Sequence, residues 1–213
     1  MRKITNSELN RPSAELFATM QRIPVVVVLD NVRSAQNIGA FFRTGDAFAI
    51  EKVMLCGITA TPPSRDIHKS ALGAELTVGW EYYPTTAECV AALKAEGYRI
   101  VATTPHRQSC TPESFDVAKA PFCLVFGTEH AGVSDEIIEA ADEYLRIPMC
   151  GMVESLNVSA SAAILIYMLS QRMRLECDSW HLSDEKRTRT LYDWYRYAVR
   201  DSEALLERKY STK

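Results

Sequence analysis

Ile147-Pro148-Met149-Cys150-Gly151-Met152-Val153-Glu154-Ser155-Leu156-Asn157-Val158-Ser159-Ala160-Ser161-Ala162-Ala163 is the segment on which the reading of this chain turns. A short apolar strand runs into Pro148, a loop around Gly151 follows, and a long apolar run then opens on small residues. Ser155, Asn157 and Ser159 suit the start of a helix, because their side-chain oxygens accept N–H groups that a helix leaves unpaired at its N-terminus. Free backbone groups beside such a terminus offer a polar ligand a place to bind. Gly151 allows close approach to the backbone. An ordinary strand–loop–helix junction would look the same, so this block alone does not define a site.

Two further blocks repeat the pattern. Residues 25–44 read VVVVLDNVRSAQNIGAFFRT. Four valines and a leucine form a strand buried on both faces, the habit of a parallel strand. The strand breaks at Asp30-Asn31, and a helix opens near Gln36. On that helix Asn37 and Arg43 face the same way only if the helix begins after Asn37. Gly39 sits where a side chain would crowd a close neighbour. Residues 122–134, FCLVFGTEHAGVS, are again a strand, a glycine-containing loop and a helix that Ser134 is placed to cap.

Outward from these blocks, strands are expected at 24–29, 52–57, 76–82, 98–103, 121–126 and 143–147. Helices are expected at 38–49, 66–73, 85–96, 134–141, 157–176 and 184–208, with an amphipathic helix over 7–21 interrupted near Pro12. Alternation of strands and helices makes the class α/β, with a mostly parallel sheet flanked by helices and short helical extensions at both ends. The domain is set at residues 23–176, with extensions at 1–22 and 177–213. A polar loop at 103–112 follows a strand's C-terminal end, where open α/β sheets bind ligands. No G-x-G-x-x-G or Walker A sequence occurs, so dinucleotide and P-loop chemistry have no support.

A chain of 213 residues with 47% hydrophobic and 24% charged residues is an ordinary globular protein, one domain or one domain with an appendage. No apolar run is long enough for a bilayer, and Met1–Asn6 lack the apolar core of a signal peptide. The six cysteines are scattered, mostly in apolar strands, and read as buried reduced thiols of a cytoplasmic protein. The four histidines are far apart, so no metal site is expected. The net charge of −3 hides an uneven distribution: net +3 over 1–43, −8 over 44–170 and +2 over 171–213. A local basic surface binds phosphates even on an anionic molecule. A solvated mixture of surface charges is the bland alternative.

Together the three blocks resemble the SpoU, or TrmH-type, RNA ribose 2′-O-methyltransferases. Asn37, Gly39 and Arg43 match the family's N-x-G-x-x-x-R motif. Gly127, Glu129 and Gly132 match its strand-Gly-x-Glu-x-x-Gly motif, and Ile147 through Ser159 match its I-P-M-x-G-x-x-x-S-L-N-V-S motif. The order is right, and the resemblance spans roughly residues 20 to 175. It implies a C-terminal trefoil knot formed by the chain from about 122 to 165, a rare feature that periodicity does not reveal. It also implies that the knot's loops bind S-adenosylmethionine, and that two copies form a homodimer. Ala160, Ala162, Ala163 and Ile164 on the final helix are compatible with close packing against a neighbour.

The implied reaction carries a methyl group from the cofactor's sulfonium to a ribose 2′-hydroxyl. In the family the arginine matching Arg43 is assigned as the group that activates the hydroxyl. Guanidinium stays protonated in ordinary circumstances, so the physical reading has Arg43 pairing with a phosphate and stabilising developing alkoxide charge. Asn37 is expected to orient Arg43 or the ribose, and Glu129 to fix Arg43 or bind a polar part of the site. Ser155 and Asn157 face either the transfer centre or the knot's internal hydrogen bonds. Gly127, Ile147 and Leu156 match positions whose backbone groups hold the adenosine, with Met149 and Thr103 lining the same pocket.

Beyond the motifs, residues 187–200 interleave Arg187, Arg189, Arg196 and Arg200 with Tyr192, Trp194, Tyr195 and Tyr197. Such groups contact phosphates and stack on bases; an amphipathic helix packed on the body is the alternative. Short helical ends resemble the tRNA-modifying branch, whereas the rRNA branch often carries a separate N-terminal domain for which this chain has no room. The expectation is therefore an RNA ribose methyltransferase acting on tRNA, with rRNA as the alternative substrate. A non-catalytic RNA-binding protein of the same fold is the third reading, disfavoured by the intact Asn37, Arg43 and third block.

Overall fold

The computed structural model describes residues 20–181. The helices expected at 184–208 and, but for non-helical Met20 and Gln21, at 7–21 lie outside that range, as do the basic and aromatic residues of 187–200. Six strands form one sheet: β1 (Ile23–Asp30), β2 (Ile50–Cys56), β3 (Gly79–Tyr83), β4 (Arg99–Thr103), β5 (Phe122–Phe126) and β6 (Glu143–Leu145). Their order is β3-β2-β1-β5-β4-β6, and every pairing is parallel. The helices are α1 (Ala35–Phe48), α2 (Arg65–Ala71), α3 (Thr86–Ala95), α4 (Asp135–Ala140) and α5 (Val158–Glu176).

Every residue of β1 and β5 is buried, because helices cover both faces of the sheet. The strand period of two sorts the side chains. Val25, Val27 and Leu29 join Phe122, Leu124 and Phe126 in one core, completed by Phe41 and Phe42 of α1, Ile67 of α2, and Leu165 and Ile166 of α5. Val26 and Val28 join Cys123 and Val125 in the other, under Cys89, Val90 and Leu93 of α3 and Ile137 of α4. The uninterrupted valine run is thus an alternation read by two cores at once.

Local chemistry sets the helix boundaries. Ser34 caps α1, its side chain accepting from the Asn37 N–H at 3.3 Å, so the helix starts at Ala35 rather than 38. Asn157 caps α5 by accepting from the N–H groups of Ser159 (2.9 Å) and Ala160 (3.2 Å). Ser134 stands at the cap position of α4, but its side chain makes no capping bond. Its N–H donates instead to Asp30 of β1, at 2.9 Å. Gly39 lets α1 cross α2 closely: a Cβ there would lie 2.4 Å from the Ile67 carbonyl oxygen and 2.1 Å from Ser70 Oγ.

Several expectations shift. β3 begins at Gly79, not 76, because Ala74–Leu76 form a 3-10 turn. β6 stops at Leu145, so Ile147 and Pro148 belong to the loop. Ala162 is buried in the chain's own core and is not available to a neighbour, whereas Ala160 and Ile164 are exposed. Of the cysteines, Cys56, Cys89 and Cys123 are buried thiols, Cys110 and Cys177 are half-buried and Cys150 is exposed. Among the described residues no helix is long and apolar enough to cross a membrane, and no cluster of His, Cys, Asp or Glu could hold a metal.

Candidate functional site

β1 and β5 lie side by side where the strand order reverses, and ligands of open α/β sheets settle outside the carboxyl ends of strands at such a point. The three sequence blocks converge there. Asn37, only 9% exposed, sits on the first turn of α1. Its Nδ2 donates to Glu129 Oε1 at 2.5 Å. Its Oδ1 accepts from Asn157 Nδ2 at 3.1 Å and from Ser159 Oγ at 3.2 Å. Ser159 Oγ also lies 2.6 Å from Asn157 Oδ1, so its single O–H is shared between the two amide oxygens. One amide therefore binds the loop after β5 and the start of α5 to α1.

The chemistry of the partners fixes the amide's orientation. Turned over, Asn37 would face a carboxylate with its own oxygen and the Asn157 NH2 with its own NH2, leaving like against like. Asn37 thus serves as a junction, and among the described residues neither it nor Glu129 makes a hydrogen bond or ion pair with Arg43. The early start of α1 explains this. Six residues apart on one helix, Asn37 and Arg43 point about 120° apart. Asn37 turns inward, while Arg43 is exposed and, among the described residues, has no hydrogen bond or ion pair. Of the two roles expected for each, the alternatives to holding Arg43 remain: the ribose for Asn37 and a polar part of the site for Glu129, whose carboxylate meets Asn37.

Gly127 is buried at the end of β5, and its role is steric. A Cβ there would sit 1.9 Å from the Gly132 carbonyl oxygen. Its absence lets residues 128–132 fold back tightly, with Thr128 and Gly132 exchanging two backbone hydrogen bonds at 2.9 and 3.0 Å. That turn presents Glu129 to Asn37. Thr103, at the end of β4, donates its hydroxyl to the Val125 carbonyl at 2.7 Å and braces the adjoining strand.

The loop from Ile147 to Leu156 has a different character. Ile147 is half-buried against the first core, and residues 148–156 are exposed, including Met149, Ser155 and Leu156. Met152 is fully exposed, with Val153 also open. Among the described residues no backbone group of 147–156 has a hydrogen-bond partner. Unpaired N–H and C=O groups interleaved with apolar side chains suit a ligand that combines a flat apolar body with polar edges. The loop leaves β6 and enters α5 at the same end of the sheet as Asn37, Glu129 and Gly127.

Of the sequence-derived site residues, Asn37, Glu129 and Asn157 are in contact. Thr103, Gly127, Ile147, Met149, Ser155 and Leu156 surround the same edge, and Arg43 stands apart on the outer face of α1. Sequence reasoning placed Ser159 at the helix start and in the third block, but gave it no role in the site. A hydroxyl two residues past a helix-capping asparagine was the available signal. It also missed Asp30, a carboxylate closing an otherwise apolar strand.

A family model described as the SpoU rRNA Methylase family matches residues 24–167. The chain is 31% identical over 193 residues to a tRNA (guanosine(18)-2'-O)-methyltransferase of Thermus thermophilus, covering 89% of this chain and 97% of that one. Among solved structures it resembles the A. aeolicus TrmH/SpoU tRNA modifying enzyme, with a TM-score of 0.73 and 28% identity over 86% of this chain and 94% of that chain. It also resembles the SpoU methyltransferase AviRb from Streptomyces viridochromogenes in complex with AdoMet. There the TM-score is 0.66 and the identity 25%, over 77% of this chain and 66% of the other.

Proposed function

This chain belongs to the SpoU rRNA Methylase family, and from that premise we propose that it is an S-adenosylmethionine-dependent methyltransferase of an RNA ribose 2′-hydroxyl, with tRNA as its substrate. The observation that carries the reading is the Asn37 junction. Residues from all three motif blocks meet in one hydrogen-bonded cluster, at the sheet edge where an α/β protein binds its ligand. Support for tRNA comes from the likeness to a tRNA enzyme along 97% of that enzyme's length.

The loop fits the cofactor. Its free backbone groups would hold the adenine and ribose edges, and Ile147, Met149 and Leu156 would meet the apolar faces, with Thr103 and Gly127 shaping the floor. When bound, S-adenosylmethionine supplies a methyl group already activated on a sulfonium. The protein's task is then to bind the RNA, aim the 2′-hydroxyl and accommodate its charge as the proton leaves. Arg43, exposed and without an ion pair among the described residues, is placed to take an RNA phosphate and to stabilise that charge. Asn37, on α1, and Glu129 tie the loop after β5 to that helix and so hold the floor of the site. Asn157 fixes the start of α5, and Ser155, on the exposed loop, faces the transfer centre.

The methyltransferase domain is residues 23–176, with 1–22 and 177–213 as extensions that meet RNA. The trefoil knot is supported by the path of the chain: β5 inserts between β1 and β4, β6 lies at the far edge, and α5 returns across to pack on α1, where Tyr167 meets Phe48 at 5.7 Å. A homodimer is supported by the uncovered apolar groups Met152, Val153, Leu156, Ile164 and Tyr167, which run from the loop onto α5. The substrate puts the enzyme in the cytoplasm.

The test uses purified protein, methyl-labelled S-adenosylmethionine, and separate pools of unmodified tRNA and rRNA, followed by nucleoside mass spectrometry. A 2′-O-methyl nucleoside from the tRNA pool is expected. Label in rRNA alone would move the substrate assignment. No cofactor binding and no incorporation would leave a non-catalytic RNA-binding protein. Light scattering at micromolar concentration should return twice the chain mass, and a monomer would refute the dimer.

A further inference from the structure

Asp30 is 2% exposed, at the carboxyl end of the central strand β1. A carboxylate so deeply buried is costly unless donors surround it, and three do. Oδ1 accepts from Thr86 Oγ1 at 2.6 Å and from Asn31 Nδ2 at 2.9 Å, and Oδ2 accepts from the Ser134 N–H at 2.9 Å. Thr86 is the first residue of α3 and Ser134 the cap position of α4, so one side chain receives both helix starts on that face. The Ser134 N–H at the head of α4 is thus satisfied from another strand, by a group whose charge suits a helix N-terminus.

Ser134 also ends the turn that carries Glu129. Residues 128–132 are closed on themselves by the paired Thr128–Gly132 bonds and by Ala131 N–H donating to Thr128 Oγ1 at 3.0 Å. Such a turn moves as a unit. It is held at one end by β5 and at the other by Asp30, and its tip meets Asn37. We infer that Asp30 is a positioning residue for the methyl transfer, acting through Ser134 to hold Glu129 on Asn37. This rests on the function proposed above.

Asp30→Asn keeps size and shape but turns one acceptor into a donor, so the Ser134 N–H or the donors on Oδ1 lose their partner. Ser134→Pro breaks the contact from the other side. Ser134 has φ of −63°, which proline adopts, and the change removes the N–H that donates to Asp30 and sets a ring CH2 against Oδ2 in its place. Each should lower kcat about tenfold with KM for RNA little changed, the signature of a misplaced group rather than lost binding. In a Glu129→Ala background neither should lower kcat further, because the acceptor that Asn37 meets is already gone. Thr86→Val removes the α3 bond and should lower Tm without lowering kcat.

Hydrogen exchange of the 127–134 segment reads the same contact without activity. It should speed up in Asp30→Asn and Ser134→Pro while α2 stays as protected as in the wild type. Unchanged exchange, or a kcat loss of equal size with and without Glu129, would overturn the inference. A wild-type enzyme that methylates no RNA would refute the proposed function, and exchange at 127–134 would still decide whether Asp30 holds the turn.

Discussion

Asn37→Asp is the most informative single substitution, because a general rule and this structure predict opposite signs. α1 has no acidic residue on its first turn. An acid placed there ordinarily stabilises a helix, by about 0.3–1 kcal/mol. Here the amide it replaces donates to Glu129 at 2.5 Å. Loss of a hydrogen bond to a charged acceptor costs about 1.5–3 kcal/mol. Two carboxylates about 4 Å apart repel by about 1 kcal/mol in water and about 4 at an effective dielectric of 20. Glu129 is exposed, so the screened value of about 1 kcal/mol applies. Asn157 and Ser159 keep an acceptor. The net result is a destabilisation of about 2 kcal/mol at pH 8.

The pH dependence supplies the check. Two carboxylates in contact raise one another's folded pKa above the unfolded value of about 4. Stability contributed by a group with a raised folded pKa is present at low pH and lost as pH rises through that pKa. Near pH 4 the pair shares a proton, an O–H donates where the amide did, and the variant should approach wild-type stability. Urea unfolding of both proteins at about pH 4 and pH 8 measures the difference. A variant as stable as wild type at pH 8, or one destabilised equally at both, would refute the assigned contact.

Other perturbations separate chemistry from scaffolding. Arg43→Ala should abolish methylation while cofactor binding and Tm stay at wild-type values, because the side chain is exposed; normal turnover would remove it from the mechanism. Gly127→Ala should push the Gly132 carbonyl off β5 and separate Glu129 from Asn37, with activity lost in a protein that circular dichroism shows is still folded. Gly39→Ala must part α1 from α2 at the backbone and should cost about 1–3 kcal/mol in denaturant unfolding. An unchanged midpoint would mean that the helices slide apart freely.

How much was legible from sequence depended on the range of the controlling interaction. The valine run of β1 announced a doubly covered parallel strand because burial on both faces needs no partner to be named. The start of α1 was misjudged by three residues, since Ser34 reads as one polar residue among several until its bond to the Asn37 N–H is seen. β6 was drawn too long because Ile147 is apolar for packing against the core from a loop. The motif blocks identified Asn37, Glu129 and Asn157, but left two partners open for Glu129, Arg43 or a polar part of the site, and did not name Asn37 as the group it meets. Spacing along a helix speaks only of that helix, and the group that Glu129 meets is set by a turn that Gly127 permits and Asp30 holds.

The Asn37 amide gathers partners 92, 120 and 122 positions further along the chain. The site therefore has no local precursor. A chain emerging N-terminus first displays Asn37 and Arg43 early, but the junction cannot close until the first turn of α5 has been made and brought back across the sheet. Unfinished copies and products cut before residue 157 would present the arginine without the cluster, and so would be inert toward RNA methylation. Competence arrives in one step with the closure of the fold, which makes catalytic activity a direct gauge of the fraction of chains that have folded through to α5.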